Sequence, residues 1–385
     1  MIRVDPGGTI GVIGGGQLAR MLAIEARCLG YRIAVQDPDP AGPAGQLADV
    51  RIEGAWDDIA AAKVLADHSD VITIDTEHVP AHLLEQLEGL KPVRPSSHVL
   101  RVVQDRLEQR RFLASHGLPQ VRHSSLARAE DLRIAAEAVG FPAVLKTRRG
   151  GYDGRGQLRV EGQSALAGAW KALGEAPAVL ESFVEFEKEV SVLLARDLGG
   201  HIRFYPVAEN VHRRSILRTT SVPAGIPPEL ASEAEELGTR IASGLEHVGM
   251  MAIELFVTRE GRLLVNEIAP RMHNSGHFSF GACGTSQFEQ HVRAICGLPL
   301  GDPSLLRPAV MLNLLGDLWR EGTPAWDAVF AHPNAHLHLY GKRVASPGRK
   351  MGHVLVLGEG VDQARAAVEA IAADLERQRA PERAG

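Results

Sequence analysis

The sequence predicts an α/β protein that opens on a parallel sheet and continues into antiparallel, hairpin-joined strands. Three observations carry this. Short β-type runs alternate with helical periodicity over residues 9–87, a basic glycine loop follows an apolar run at 141–145, and two glutamates lie on a hairpin-like stretch at 250–268. Alternating strand and helix implies a parallel sheet whose ligand site lies at the strand ends.

Thr9–Ile13 reads as the first strand, and Leu18, Met21, Leu22, Ala26 and Leu29 recur at helical spacing up to the closing Gly30. Strands are expected at 31–35 and 71–75, and a helix at 81–87. Lys91-Pro-Val-Arg-Pro95 breaks the alternation and marks a boundary. Helices follow at 99–116 and 129–139, strands at 141–145, 178–181 and 190–194, and a hairpin at 250–257 and 262–268. Residues 305–358 form a strand-rich block, and a last helix runs from 361 to about 379.

The chain has 385 residues, enough for two or three domains, with 45% hydrophobic and 23% charged residues. A net charge of −5 gives no general case for nucleic-acid binding. Cys28, Cys283 and Cys296 are too few and too widely spaced for a disulfide framework or zinc ribbon, which fits a reducing compartment. No run reaches membrane-spanning length, the N-terminus lacks a signal-peptide layout, and a cytoplasmic location is expected.

Six segments carry chemistry. Gly14-Gly-Gly16-Gln17-Leu18-Ala19, between a strand and a helix with Asp37 beyond, has the form of a phosphate site whose free N–H groups face an anion; a tight turn without ligand is the alternative. Lys146 to Gln157 packs four glycines and four cations into twelve residues. Glycines let backbone N–H groups approach a polyphosphate and the cations supply charge, so Lys146 is expected near the α- and β-phosphates, with Asp153 and Arg155 facing a second substrate. The run from Val179 to Glu189 offers backbone to an adenine edge and carboxylates to ribose hydroxyls.

The fourth is the hairpin. If Glu260-Gly261 is a two-residue turn, Arg259 faces Arg262 and Glu254 faces Glu267. Ala252, Phe256, Leu263 and Val265 then share the face of the two glutamates. Opposed carboxylates about 5 Å apart repel, and Mg²⁺, which takes hard oxygen ligands, resolves the conflict, with Asn266 near enough to help. An arginine bridge or a shared proton is the alternative. Fifth, Arg271, His273 and Asn274 follow as donors for an anionic substrate or intermediate; Pro270 and the Asn-Ser-Gly run argue against a helical zinc pair of His273 and His277. Last, Arg349 and Lys350 form a basic turn, suited to phosphate or merely exposed.

Together these segments resemble the ATP-grasp superfamily and, within it, the N5-carboxyaminoimidazole ribonucleotide synthetase family of purine biosynthesis. The strings that carry the resemblance are Gly-Gly-Gln-Leu at 15–18, Gly-Gly-Tyr-Asp-Gly-Arg-Gly-Gln at 150–157, the run 210–220, Asn-Glu-Ile-Ala-Pro-Arg-Met-His-Asn-Ser-Gly-His at 266–277 and Pro-Gly-Arg-Lys-Met-Gly-His at 347–353. The resemblance implies a Rossmann-like domain at 1–103, an ATP-grasp α+β domain at 104–304 with a mobile lid near 143–205, and a small β-rich domain at 305–385. It implies ATP bound by Arg106, Lys146, Gly151, Tyr152, Asp153, Gly154, Arg155, Gly156, Gln157, Glu181, Ser182, Phe183, Val184, Glu189, His212, Asn266 and Glu267, with Mg²⁺ on Glu254 and Glu267. Gly16, Gln17, Leu18, Glu77, Tyr152, Arg155, Arg349 and Lys350 would hold the ribonucleotide. Arg271, His273, Asn274 and Asp153 would serve catalysis. Asp75-Thr-Glu77-His departs from the family's usual acidic string, which weakens the carry-over at Glu77.

The implied reaction is ATP- and bicarbonate-dependent carboxylation of aminoimidazole ribonucleotide through carboxyphosphate by a homodimer. The rival readings are another ATP-grasp ligase, such as the formate-dependent glycinamide ribonucleotide enzyme, a nicotinamide-dependent dehydrogenase resting on residues 14–37, and a non-catalytic nucleotide sensor.

Overall fold

The computed structural model describes residues 2–151, 154 and 156–377. The chain begins with β1 (Thr9–Ile13), α1 (Gln17–Cys28), β2 (Arg32–Asp37), β3 (Val50–Glu53), α2 (Ile59–Asp67), β4 (Val71–Ile74) and α3 (Ala81–Glu88). Its strands form a parallel sheet ordered β3-β2-β1-β4. β1 and β4 are buried along their whole length because helices cover both faces, so they read as unbroken apolar runs. The Lys91–Pro95 segment is not yet a boundary, since Val93 pairs in parallel with Ile72 at the sheet edge.

The helix expected over 99–116 is two helices, α4 (Ser97–Val103) and α5 (Arg106–Ser115). Asp105 breaks it: the backbone there is extended, and the carboxylate accepts the Leu107 and Glu108 N–H groups as an N-cap. The break turns Arg106 and Arg110 toward the strands that follow.

Next come β5 (His123–Leu126), α6 (Asp131–Val139), β6 (Ala143–Thr147), β7 (Gln157–Val160), α7 (Gln163–Ala172) and β8 (Ala178–Ser182). These strands make an antiparallel sheet ordered β5-β8-β6-β7 over a core that includes Leu145, Val160, Leu166 and Trp170. The remaining strands are β9 (Phe186–Arg196), β10 (Ile202–Phe204), β11 (Ala208–Arg213), β12 (Ile216–Val222), β13 (Gly249–Thr258), β14 (Leu263–Ala269), β15 (Ala309–Leu315), β16 (Ala335–Leu339) and β17 (Lys350–Leu357), with α8 (Pro228–Gly244) before β13. All nine share one sheet, β14-β13-β9-β11-β12-β15-β17-β16, with β10 beside β9. The four-stranded sheet therefore draws on 123–182, while 186–204 belong to the large sheet; a lid drawn at 143–205 divides both. The C-terminal strands join through the β12–β15 pairing rather than forming a sheet of their own. Helix Val361–Arg377 covers β15 and β17. Helix Gln287–Cys296 packs between α1 and β13, where His291 bonds both Thr73 and the Met250 N–H and so ties the first sheet to the large one.

Candidate active site

Glu254 and Glu267 do oppose one another across β13 and β14, but not through the expected turn. Thr258 N–H donates to Arg262 O and Gly261 N–H to Thr258 O, so the loop is Arg259-Glu260-Gly261 and Arg262 faces Thr258, not Arg259. From that turn Val257 pairs with Leu263 and Leu255 with Val265; beyond Leu255 the register shifts by one, and Glu254 meets Glu267. A bulge at Asn266 makes the shift. The face composition is corrected with it. Phe256 and Leu264 share the side of the glutamates, while Leu263 and Val265 point into the core with Ile253 and Leu255.

Burial, then the Glu267 charge, pushes the Glu254 carboxyl up to about 7. Arg106 Nη2 lies 3.7 Å from Glu267 and His273 Nε2 3.6 Å from Glu254. These are loose contacts that leave room between the partners. His212 pairs with Glu189 beside them, on β11 and β9. Lys350 adds positive charge felt by Glu254, His212 and His273. Among the described residues no group of three or more His, Cys, Asp or Glu forms a complete metal cage. Two hard carboxylates in mutual repulsion nevertheless fit an ion that takes its other ligands from phosphate and water.

Lys146, on β6, reaches Glu181 on β8: Nζ–Oε2 is 2.7 Å, and Arg110 Nε holds the other oxygen at 2.7 Å. Burial opposes the Glu181 charge, but Lys146, Arg110 and Arg106 outweigh it and hold the carboxyl well below its usual range. Burial depresses the Lys146 ammonium. The N–H groups of Ser182 and Phe183 are already spent on Arg122 O and Pro142 O, so neither is available to an adenine edge. Val184 is the next residue along the backbone.

The stem of the glycine loop is anchored by Asp105. Arg148 makes a two-pronged contact with it (2.9 and 2.7 Å), and Arg149 lies 3.3 Å away. Gly154 and Gly156 have φ of 80° and 69°, and a Cβ would meet Ser215 at 2.5 Å in the first case and Thr147 Oγ1 at 2.6 Å in the second. Glycine is required at both for the loop to lie against the β11–β12 turn and its own stem. Tyr152, Asp153 and Arg155 lie outside the described residues. Gly151 lines a cavity of about 300 Å³ with Glu77, Gln104, Arg106, Arg149 and Glu267.

The N-terminus of α1 differs from expectation. Gly15 N–H donates to Asp37, and Gly16 and Ala19 N–H donate to Asp75 at 2.8 and 2.7 Å. Those amides are filled by the protein's own carboxylates, and Asp37, which also takes Trp56 Nε1, is not left for a ribose. Gly16 is glycine because a Cβ would stand 2.2 Å from Asp75 Oδ2. Burial raises the Asp75 carboxyl to about 6. Gln17 accepts from Lys342 Nζ at 2.8 Å, which brings the C-terminal block to this turn. Leu18 is buried in the core.

Two residues past Asp75, Glu77 pairs with Arg271. Burial works against the Glu77 charge, yet Arg271 holds the carboxyl down at about 2. His273 bonds Ser275 Oγ at 2.8 Å, and burial, reinforced by Arg271, drops its ring to about 3, leaving it neutral. Asn274 is buried with neither amide atom partnered among the described residues. His277 is a buried core residue whose ring lies tilted, 4.9 Å from that of His353, rather than a ligand beside His273. Arg349 is exposed and donates to Val344 O, apart from Lys350.

The sequence reading brought Glu254, Glu267, Lys146, Glu181, Arg106, Glu77, Arg271, His273 and Lys350 to one region, and passed over Asp75, Asp105, Arg110 and Lys342. For Asp105 the available signal was an acid just before a helix, and for Arg110 its i,i+4 spacing from Arg106; Asp75 had no such local sign.

Three family models match in succession: a ribonucleotide synthetase preATP-grasp domain over 8–104, an ATP-grasp domain over 111–288 and a phosphoribosylaminoimidazole carboxylase C-terminal domain over 309–367. An N5-carboxyaminoimidazole ribonucleotide synthase of Brucella melitensis is 44% identical over 91% of this chain and 96% of its own. The crystal structure of the Staphylococcus aureus N5-carboxyaminoimidazole synthetase complexed with ADP superposes with a TM-score of 0.90 at 38% identity, covering 96% of this chain and 98% of the other. That of the Aspergillus clavatus synthase, in complex with ADP and 5-aminoimidazole ribonucleotide, gives 0.89 at 31% identity, covering 96% and 99%. On sequence, domain succession and fold alike, the chain belongs to the N5-carboxyaminoimidazole ribonucleotide synthase family of ATP-grasp enzymes.

Proposed function

We infer that the chain is an ATP-grasp ligase that carboxylates 5-aminoimidazole ribonucleotide to N5-carboxyaminoimidazole ribonucleotide, with ATP and bicarbonate consumed and ADP and phosphate released. The observation that carries the reading is one cavity lined by Glu267 and Arg106 together with Glu77. The relatives' ADP and ribonucleotide complexes support the same pair of ligands.

In this reading Lys146, fixed by Glu181, faces the ATP phosphates, and Ser182–Val184, Glu189 and His212 border the nucleoside. A Mg²⁺ ion held by Glu254 and Glu267 would neutralise phosphate charge and orient the γ-phosphate. A bicarbonate oxygen forms a bond to the γ-phosphorus as the bond to the β-phosphate oxygen breaks, giving carboxyphosphate and ADP. Carboxyphosphate releases CO₂ and phosphate. The exocyclic amine then attacks the CO₂ carbon and gives up a proton to the phosphate just released. Arg271, aligned by Glu77, offsets the anionic charge of the intermediate. Neutral His273 offers a hydrogen bond instead of a charge, and the unpartnered Asn274 amide supplies donor and acceptor to a bound group that would relieve its burial cost of about 1–3 kcal/mol. The glycine loop excludes water from carboxyphosphate.

The Mg²⁺ and bicarbonate requirements, a homodimeric assembly and a cytoplasmic setting are part of the proposal. Three free cysteines and the absence, among the described residues, of a helix long and apolar enough to cross a membrane accord with the last. Bicarbonate labelled with ¹⁸O should transfer one labelled oxygen to the released phosphate, detected by mass spectrometry; unlabelled phosphate with normal turnover would exclude carboxyphosphate.

A further inference from the structure

We propose that Arg110 is a positioning residue that fixes the β-bulge at Asn266 and thereby sets Glu267 opposite Glu254. The proposal rests on the reading that this carboxylate pair holds the divalent cation.

Side chains alternate faces along a strand, so a one-residue slip moves each to the other side. If the register set by the Thr258–Arg262 turn ran on, Glu254 would face Asn266, and Glu267 would fall opposite Ile253, on the face that fills the apolar core. The inserted residue prevents this. A bulge, however, takes carbonyls out of the ladder, and a buried carbonyl without a donor is costly. Arg110 supplies the donors: Nη1 to Val265 O and Nη2 to Asn266 O, both at 2.9 Å. Its side chain is fully buried. Val265 has further support, since its N–H donates to Pro119 O and it bridges to Gln120. The Asn266 carbonyl accepts directly from Arg110 Nη2.

The same guanidinium sends Nε to Glu181, whose other oxygen holds Lys146. One planar fork thus sets the spacing between the strand that presents Glu267 and the sheet that presents Lys146. Gln120 in turn donates to the Arg110 carbonyl at 2.9 Å, holding this part of α5 against the same strand. Arg110 makes no ion pair with Glu254 or Glu267 and does not line the cavity, so it acts on that pair through the backbone it holds.

The test is Mn²⁺ binding in the presence of ADP, followed by electron paramagnetic resonance, on the wild type, Arg110→Met, Arg110→Lys and Glu267→Gln, with thermal melting in parallel. Groups that orient metal ligands typically change affinity by roughly tenfold to a hundredfold when removed. Arg110→Met is expected to weaken Mn²⁺ binding within that range, and Arg110→Lys, which still offers several donors, to restore most of it. Should Arg110→Met not fold, Arg110→Gln, able to reach one carbonyl at most, carries the same comparison. Weakened melting with wild-type Mn²⁺ affinity in Arg110→Met, alongside a clear loss in Glu267→Gln, would overturn the positioning role. Unchanged Mn²⁺ affinity in Glu267→Gln would instead remove the metal reading beneath it.

Discussion

Glu77 and Arg271 are 194 residues apart in sequence and make a pair at the mouth between the first sheet and the large one. Arg271 lowers the Glu77 carboxyl to about 2 against the cost of burial. A group whose pKa is depressed on folding adds stability above its unfolded value and loses it as pH falls through the folded value. The difference in unfolding free energy between wild type and Glu77→Gln should therefore be full above about pH 5 and shrink toward pH 2. Urea titrations at several pH values check this, and a pH-independent difference would contradict it. Glu77 and Arg271 were legible as single residues of a polar segment. Their pairing was not, because nothing local in either segment encodes a partner so distant. Asp75 was missed for a related reason: a lone aspartate after a strand carries no sign that it will fill the helix N-terminus at Gly16 and Ala19.

At the scale of elements, the hairpin shows two errors that cancelled. The expected two-residue turn was one residue off, and the bulge at Asn266 shifts the register back by one. Alternation reports which residues share a face only while the ladder is regular, so Leu263 and Val265 were placed on the wrong side. Helical periodicity gave α1 and α3 to within a residue or two. It ran through the break at Asp105, because apolar spacing continues across it while the carboxylate is what ends one helix and starts the next. That carboxylate also anchors Arg148 and Arg149. Asp105→Asn keeps a capping side chain, so stability should change by under about 1 kcal/mol from the cap. Release of the two arginines should raise KM for ATP by roughly tenfold, the equivalent of about 1.4 kcal/mol. A denaturation curve beside a steady-state ATP titration separates the two effects, and an unchanged KM would show that the anchor is irrelevant to nucleotide binding.

Across the whole molecule, three blocks of sequence meet around one cleft: the turn after β1 and the strand end at Asp75–Glu77, the Lys146 and Glu181 sheet with the β13–β14 hairpin, and the Lys342–Lys350 turn of the C-terminal strands. The α/β class and the approximate succession of blocks were legible from alternation and from the glycine loop. The single nine-stranded sheet that joins the central and C-terminal blocks was not, because the β12–β15 pairing links strands far apart in the chain. This meeting of nucleotide, metal and acceptor groups is the central claim, and phosphate release from ATP tests it most directly. With Mg²⁺ present, aminoimidazole ribonucleotide plus bicarbonate should stimulate release strongly, and glycinamide ribonucleotide plus formate should not. Equal or greater stimulation by the second pair, or none by the first, would contradict the account.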